Sequence, residues 1–283
     1  MFLLGMGIST TIKAGSIYVG YGQSDQNSIV GERTISFSPS GASVLLSFDL
    51  NENLSLSFDY AHLSDEQAIS NGVNGDLDLD SWGTGLVYYF GNWALSASYS
   101  DWQDELHIAP MENSIVRLEQ ETSSPSSSLS FAYSWDGTDW QIGLAMGIHY
   151  SNWSQSRLSQ TRPNEPLQSA YDEGDSTFVS PSISAAKVVP ISSKSDFIVG
   201  GSISWNHLTN SESLAVSRNG RNISQISRRS NTSSVGGTES YGQLNIYVSY
   251  DISASWLVDV DSTFDIGSEE NTQAWSINIG YLF

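Results

Sequence analysis

The chain contains no cysteine, which removes thiol catalysis and cysteine-based metal centres from consideration. Positive charge is also scarce: 11 Lys and Arg stand against 31 Asp and Glu, a formal net charge of −20. A nucleic-acid binder needs a basic surface to meet phosphate, so that class is excluded. No apolar run reaches the roughly 18 residues needed for a helical membrane span. That does not exclude a membrane barrel, whose strands of about 9–11 residues hide their hydrophobicity in alternation. Proline is rare, and neither nucleotide-binding glycine loops nor His-Glu-x-x-His zinc patterns occur. No cofactor or metal is therefore expected.

What the chain does have is aromatics, 9 Trp, 13 Tyr and 10 Phe, set in a Ser-, Asn- and Gly-rich background. They fall in period-two stripes. Leu54, Leu56, Phe58 and Tyr60 oppose Ser55, Ser57, Asp59 and Ala61. Trp93, Leu95, Ala97 and Tyr99 oppose Ala94, Ser96, Ser98 and Ser100, and Leu129, Phe131, Tyr133 and Trp135 oppose Ser128, Ser130, Ala132 and Ser134. Trp275, Ile277, Ile279, Tyr281 and Phe283 repeat the pattern at the end. A helix cannot use this period, whereas a strand puts each set on one face.

Twelve strands are predicted, near 15–25, 41–50, 54–64, 77–90, 93–106, 124–135, 139–157, 174–190, 196–212, 238–251, 255–267 and 273–283. Pro181 and Lys187 spoil the eighth. Tight turns at 51–53, 91–92, 136–138, 192–195 and 252–254 alternate with long polar stretches near 25–40, 65–76, 107–123, 158–173 and 213–237. Short turns at one end and long loops at the other are the layout of an outer-membrane barrel, with the short ones periplasmic. The fold class expected is all-β, a transmembrane antiparallel up-and-down barrel occupying 15–283. Residues 1–14 resemble the end of an export signal, with a short apolar core and no basic leader.

Aromatics mark the two interfaces. Phe90, Trp93, Trp135, Trp140, Tyr250, Trp256 and Phe283 fall beside the short turns, and Tyr21, Tyr60, Trp82, Tyr99, Tyr150, Trp205 and Trp275 toward the long loops. Amphipathic rings prefer such boundaries, so two girdles are expected.

The stretch from Gly75 to Tyr99 carries alternating Asp76, Asp78 and Asp80, then Trp82, Gly83 and Gly85, then Phe90-Gly91-Asn92-Trp93. It resembles the translocator barrel of autotransporters, in which an acidic stretch, an aromatic and spaced glycines precede a periplasmic turn. The stretch from Trp256 to Phe283 is similar in layout. The resemblance implies a twelve-stranded outer-membrane barrel and insertion by the barrel assembly machinery through the terminal Phe283. It also implies lipid and lipopolysaccharide as surroundings. Only about fifteen residues precede the first predicted strand, so a translocator reading requires a barrel lacking its passenger.

Four groups of polar residues are candidates for function. Asp49, Asp59, Asp259 and Asp261 fall on the lumen stripe, while Arg33, Arg117, Arg157, Arg162, Arg218, Arg221, Arg228 and Arg229 fall in loops or near strand ends. Acidic walls favour cations, so a cation-preferring passive channel is expected, or else a structural barrel. His149-Tyr-Ser151-Asn152 resembles the His-x-Ser-Asn element of outer-membrane phospholipase A and lipid A deacylases, which implies a base and a nucleophile facing lipid. Here the stripe Trp140, Ile142, Leu144, Met146 and Ile148 turns both residues inward unless a bulge near Gly147 intervenes. Divalent-cation sites at Asp76, Asp78 and Asp80, or at Asp172, Glu173 and Asp175, lack EF-hand spacing. The basic stretch from Arg218 to Arg229 reads first as a solvated loop, and otherwise suits lipopolysaccharide phosphates or lumen carboxylates.

Overall fold

Alternating apolar and small polar residues bury one face when extended, and a closed sheet satisfies every backbone group without leaving an edge. The computed structural model describes residues 14–30, 33–70, 73–110, 117–160, 166–192, 195–217, 240–267 and 273–283. Fourteen strands are present among them. They are β1 Ala14–Ser24, β2 Gln26–Val30, β3 Arg33–Phe37, β4 Ser40–Asn51, β5 Leu54–Ser70, β6 Val73–Phe90 and β7 Trp93–Pro110. There follow β8 Arg117–Asp136, β9 Trp140–Gln160, β10 Gln168–Ser192, β11 Ser195–Ser217, β12 Tyr241–Asp251, β13 Trp256–Ile266 and β14 Gln273–Leu282.

Twelve of these close into an antiparallel barrel, each strand beside its neighbours in sequence. The seam between β1 and β14 is fully paired from Ser16↔Leu282 to Ser24↔Ala274. The fold class and the strand count are as expected. The export-signal segment lies outside the described residues except for Ala14, which opens β1, and so does the basic stretch 218–229.

The tight turns have local causes. Asn51 Oδ1 accepts the Asn53 N–H at 2.9 Å, an Asx turn. Gly91 stands at φ +64°, where a side chain would be strained. Ser253 Oγ accepts the N–H groups of Ser255 and Trp256.

Two features depart from the sequence reading. The stretch 25–40 is not a plain loop, because β2 and β3 form a hairpin of their own. The strands also run past the membrane band. β5 to β8 extend through much of 65–76 and 107–123, and β10, the strand that Pro181 and Lys187 obscured, is the longest at 25 residues. The extensions keep period two but reverse its polarity. Asp76, Asp78 and Asp80 share the outward face of Trp82, while Leu77 and Leu79 point inward and are buried. Above the lipid, the outside must be wet and the inside can be dry.

Candidate lumen site

The barrel exterior defines the lumen by contrast. On β9, Trp140, Ile142, Leu144, Met146, Ile148 and Tyr150 are all exposed and share one face. The ten steps from Trp140 to Tyr150 span about 33 Å along the strand, or about 25 Å of height at the usual barrel tilt. That matches the apolar band of an outer-membrane barrel.

Rings gather at both limits. Near the short turns, Trp93 packs against Phe131 and Tyr133 with centroids 4.8 and 4.6 Å away, and Trp256 lies 4.9 Å from Tyr281. Trp135, Trp140 and Phe283 are exposed at that same end, and Lys187 Nζ sits 5.5 Å from the Trp140 ring centre. Toward the long loops, Trp82 meets Tyr99 at 5.3 Å and Trp275 meets Tyr21 at 6.3 Å. The six girdle residues named from sequence thus stand on the outer face, at its two borders.

Every second residue points inward. Register pairs Asp49 with Ala14 and Ser55, Asp59 with Leu45 and Gly83, Asp259 with Ser249 and Asn278, and Asp261 with Tyr247 and Ser276. All four carboxylates face the lumen. Ser55 Oγ donates to Asp49 Oδ1 at 2.6 Å. Asp261 Oδ2 accepts from Ser276 Oγ and from Asn278 Nδ2. Asp59 lies over Gly83, where an added Cβ would fall 2.5 Å from Asp59 Oδ1. Glycine leaves that carboxylate its place.

Three of the four acids meet in one space. A cavity of about 890 Å³ is lined by Asp59, Asp259 and Asp261 together with Tyr18, Tyr247 and Asn278. Asp49 lies apart, in a smaller cavity of about 410 Å³ that also touches Phe283 at the short-turn end. Among the described residues, no lysine or arginine faces the lumen between the two girdles, since Lys187 pairs with the outward Trp140.

Hydroxyls cover another part of the wall. Ser96 pairs with Ser130 at 2.6 Å, Ser98 with Ser128 at 2.7 Å and Ser100 with Ser126 at 2.7 Å, a ladder up β7 and β8. Serine thus lines this part of the inner surface with hydroxyls.

The remaining candidates resolve against the faces. β9 runs beside β10 without a register break from Ser159 to Trp140, so no bulge occurs at Gly147. His149 and Ser151 both point inward, and Ser151 is fully buried with its Oγ 3.1 Å from that of Ser124. A nucleophile and base so placed cannot meet lipid. Asp172 points inward while Glu173 and Asp175 point outward, so that acidic group is split by the strand. Asp80 accepts from Tyr60 Oη at 2.8 Å and lies 3.0 Å from His62 Nδ1. Among the described residues, no group of three acidic or imidazole ligands is placed to hold a metal.

Arg157, placed near a strand end from sequence, has a direction that sequence reasoning missed. It points inward above the outer girdle, where its Nε and Nη2 donate to Gln120 Oε1 at 3.2 and 2.9 Å and its Nη2 to Gln155 Oε1 at 3.2 Å. Its alternation with Gln155 and Trp153 was the available signal.

Three similar solved structures share this architecture. The translocator domain of the autotransporter NalP from Neisseria meningitidis matches with a TM-score of 0.65 at 12% identity, covering 97% of this chain and 90% of that one. The beta domain of the Bordetella autotransporter BrkA matches at 0.58 and 10% identity, covering 95% and 99%. A COG4313 outer membrane channel from Pseudomonas putida F1 matches at 0.50 and 12% identity, covering 100% of both chains. No protein-family model matches the chain, and no curated protein matches it. At these identities the likeness carries the fold: a closed twelve-stranded barrel of the outer-membrane type, resembling autotransporter translocator domains and a channel barrel.

Proposed function

We propose that the protein is a passive outer-membrane channel of small bore that favours cations. The observation that carries this reading is the cavity bounded by Asp59, Asp259 and Asp261, on a lumen wall whose described residues include no lysine or arginine between the girdles. Within low-dielectric walls, one sign of charge raises the local concentration of counter-ions and repels co-ions. The hydroxyl ladder supplies a wetted track with no side chain to bind a solute tightly. Lipid covers the apolar band, lipopolysaccharide meets the outer rim, and the terminal Phe283 serves the barrel assembly machinery.

The channel reading is tested by refolding the whole chain and recording current in planar bilayers. Steady openings support it. A folded barrel that stays silent even when its outer mouth is freed removes it, and leaves a structural barrel. A second reading, a translocator whose passenger lies outside this chain, is favoured by the likeness to the two autotransporter domains. Its test is fusion of a passenger ahead of Ala14 and appearance of that passenger at the cell surface.

A further inference from the structure

The long-loop end contains an apolar core that a diffusion channel does not require. Phe37, at the end of β3, has no exposed surface, and it clusters with Leu77, Leu79, Leu106, Ile108 and Leu118 from the inner wall of β6, β7 and β8. The backbone beside it is tied to the neighbouring strand. Gln67 Nε2 donates to the Ser36 carbonyl at 2.6 Å, and the Ser38 N–H donates to Asp65 Oδ2 at 2.8 Å. Gly75 leaves room for the ring, because a Cβ there would lie 3.0 Å from Phe37. One aromatic side chain and two hydrogen bonds therefore hold the root of the β2–β3 hairpin against the inside of the mouth.

A carboxyl group lies in the wall of this seat. Asp104 points inward on β7, with Trp102 and Leu106 on either side, and pairs with Leu79 of β6 and Thr122 of β8. It is 7% exposed, and its Oδ1 has no hydrogen-bond partner. Among the described residues, the other charged groups on the inner face at this end are Asp65 on β5, Arg157 on β9, Asp172 on β10 and Asp265 on β13, with Asp25 at the hairpin root. Arg157 is committed to Gln120 and Gln155, and Asp65 to Ser38.

We propose that the Phe37 segment is a releasable latch that narrows the outer mouth, with Asp104 in its seat as the group that decides when it lets go. Burial pushes the Asp104 carboxyl up to about 6, against some lowering by its hydrogen bonds with Thr122. Once the latch lifts, water reaches the carboxyl and it returns to the ordinary aspartate range. A group whose value is raised in the seated state favours that state while protonated. The advantage is therefore complete below about 4 and is lost as pH rises through about 6. A shift of about two units changes the ratio of seated to lifted latch by about a hundredfold. The mouth is held shut in acid and loosened at neutrality. The latch rests on the channel reading only for its consequence, the control of flow.

The test uses the absence of native cysteine. Leu77→Cys places one thiol in the seat, and Gln103→Cys places one on the exposed outer face of β7 as a reference for the thiol's own pH dependence. The full chain in lipid vesicles is labelled with a water-soluble maleimide between pH 5 and pH 7.5. The Leu77→Cys rate relative to the reference is expected to rise by up to about tenfold over that range. Adding Phe37→Ala is expected to make labelling fast throughout, and adding Asp104→Asn to make it slow throughout. Ile108→Cys reads the same core from β7 should Leu77→Cys fail to refold. A ratio that stays flat with pH, or a pH step that survives Asp104→Asn, overturns the latch. Labelling reads the seat and not the current, so a pH-dependent seat in a barrel that never conducts keeps the latch and removes the channel reading.

Discussion

Replacing Leu144 by arginine puts a charge where the account says lipid must be. Leu144 is 54% exposed, pairs with Tyr133 and Ile183, and lies midway between the girdle residues Trp140 and Tyr150 on β9. An arginine at the bilayer midplane of a barrel costs about 2–4 kcal/mol, and near the interface about 0–1 kcal/mol. Asn152→Arg, outward on the same strand just beyond Tyr150, belongs to the second class. Ser130→Arg lies within the same membrane band but points inward beside Gly147, so its charge stays in the lumen and should cost no more than about 1 kcal/mol. The assay is urea unfolding from large unilamellar vesicles, followed by tryptophan fluorescence. The expected order of loss is Leu144→Arg well ahead of the other two. Equal costs for Leu144→Arg and Asn152→Arg, or Ser130→Arg as the worst, would refute the assignment of faces.

Other outcomes follow from single positions. Gly91→Ala should cost about 1 kcal/mol in the same unfolding assay, all of it backbone strain, because nothing lies within 4 Å of a Cβ at that site. Arg157→Ala should loosen the outer ends of β8 and β9, seen as faster amide exchange there, through loss of charge-assisted hydrogen bonds worth about 1.5–3 kcal/mol each. Asp104→Asn should stabilise the barrel at pH 7.5 by up to about 2–3 kcal/mol and change little at pH 4. The wild-type carboxyl, held near 6 when folded, burdens the fold only once it ionises.

The sequence spelled out the membrane-embedded part of the barrel almost completely, because lipid on one side and water on the other impose a strict two-residue alternation. Leu129 to Trp135 and Trp275 to Phe283 could be read directly, and the inward direction of Asp49, Asp59, Asp259 and Asp261 came with them. What was hidden lies outside the bilayer, where the solvent changes sides. The polar stretch 65–76 reads as a loop, yet β5 and β6 run through most of it, with Leu77 and Leu79 turned inward between the outward Asp76, Asp78 and Asp80. The same inversion puts Leu106 and Ile108 inside and Glu105 and His107 outside. Phe37 sits in a stretch whose composition reads as a loop, and only the tertiary seat on β6 to β8 gives it meaning. Pro181 spoils the alternation of the eighth predicted strand, yet it pairs across from Met146 in an unbroken register with β9. The meeting of Asp59 with Asp259 and Asp261 depends on barrel closure, which no local pattern carries.

The reversal potential under a salt gradient reads whether the lumen carboxylates select the ions that pass. With wild-type protein, or with Phe37→Ala to free the mouth, a potential of the sign set by cation passage is expected. Asp59→Asn, Asp259→Asn and Asp261→Asn together are expected to bring it close to zero without abolishing current. A potential of the anion sign, or cation selectivity untouched by the triple substitution, would contradict the claim that these carboxylates govern passage through the lumen.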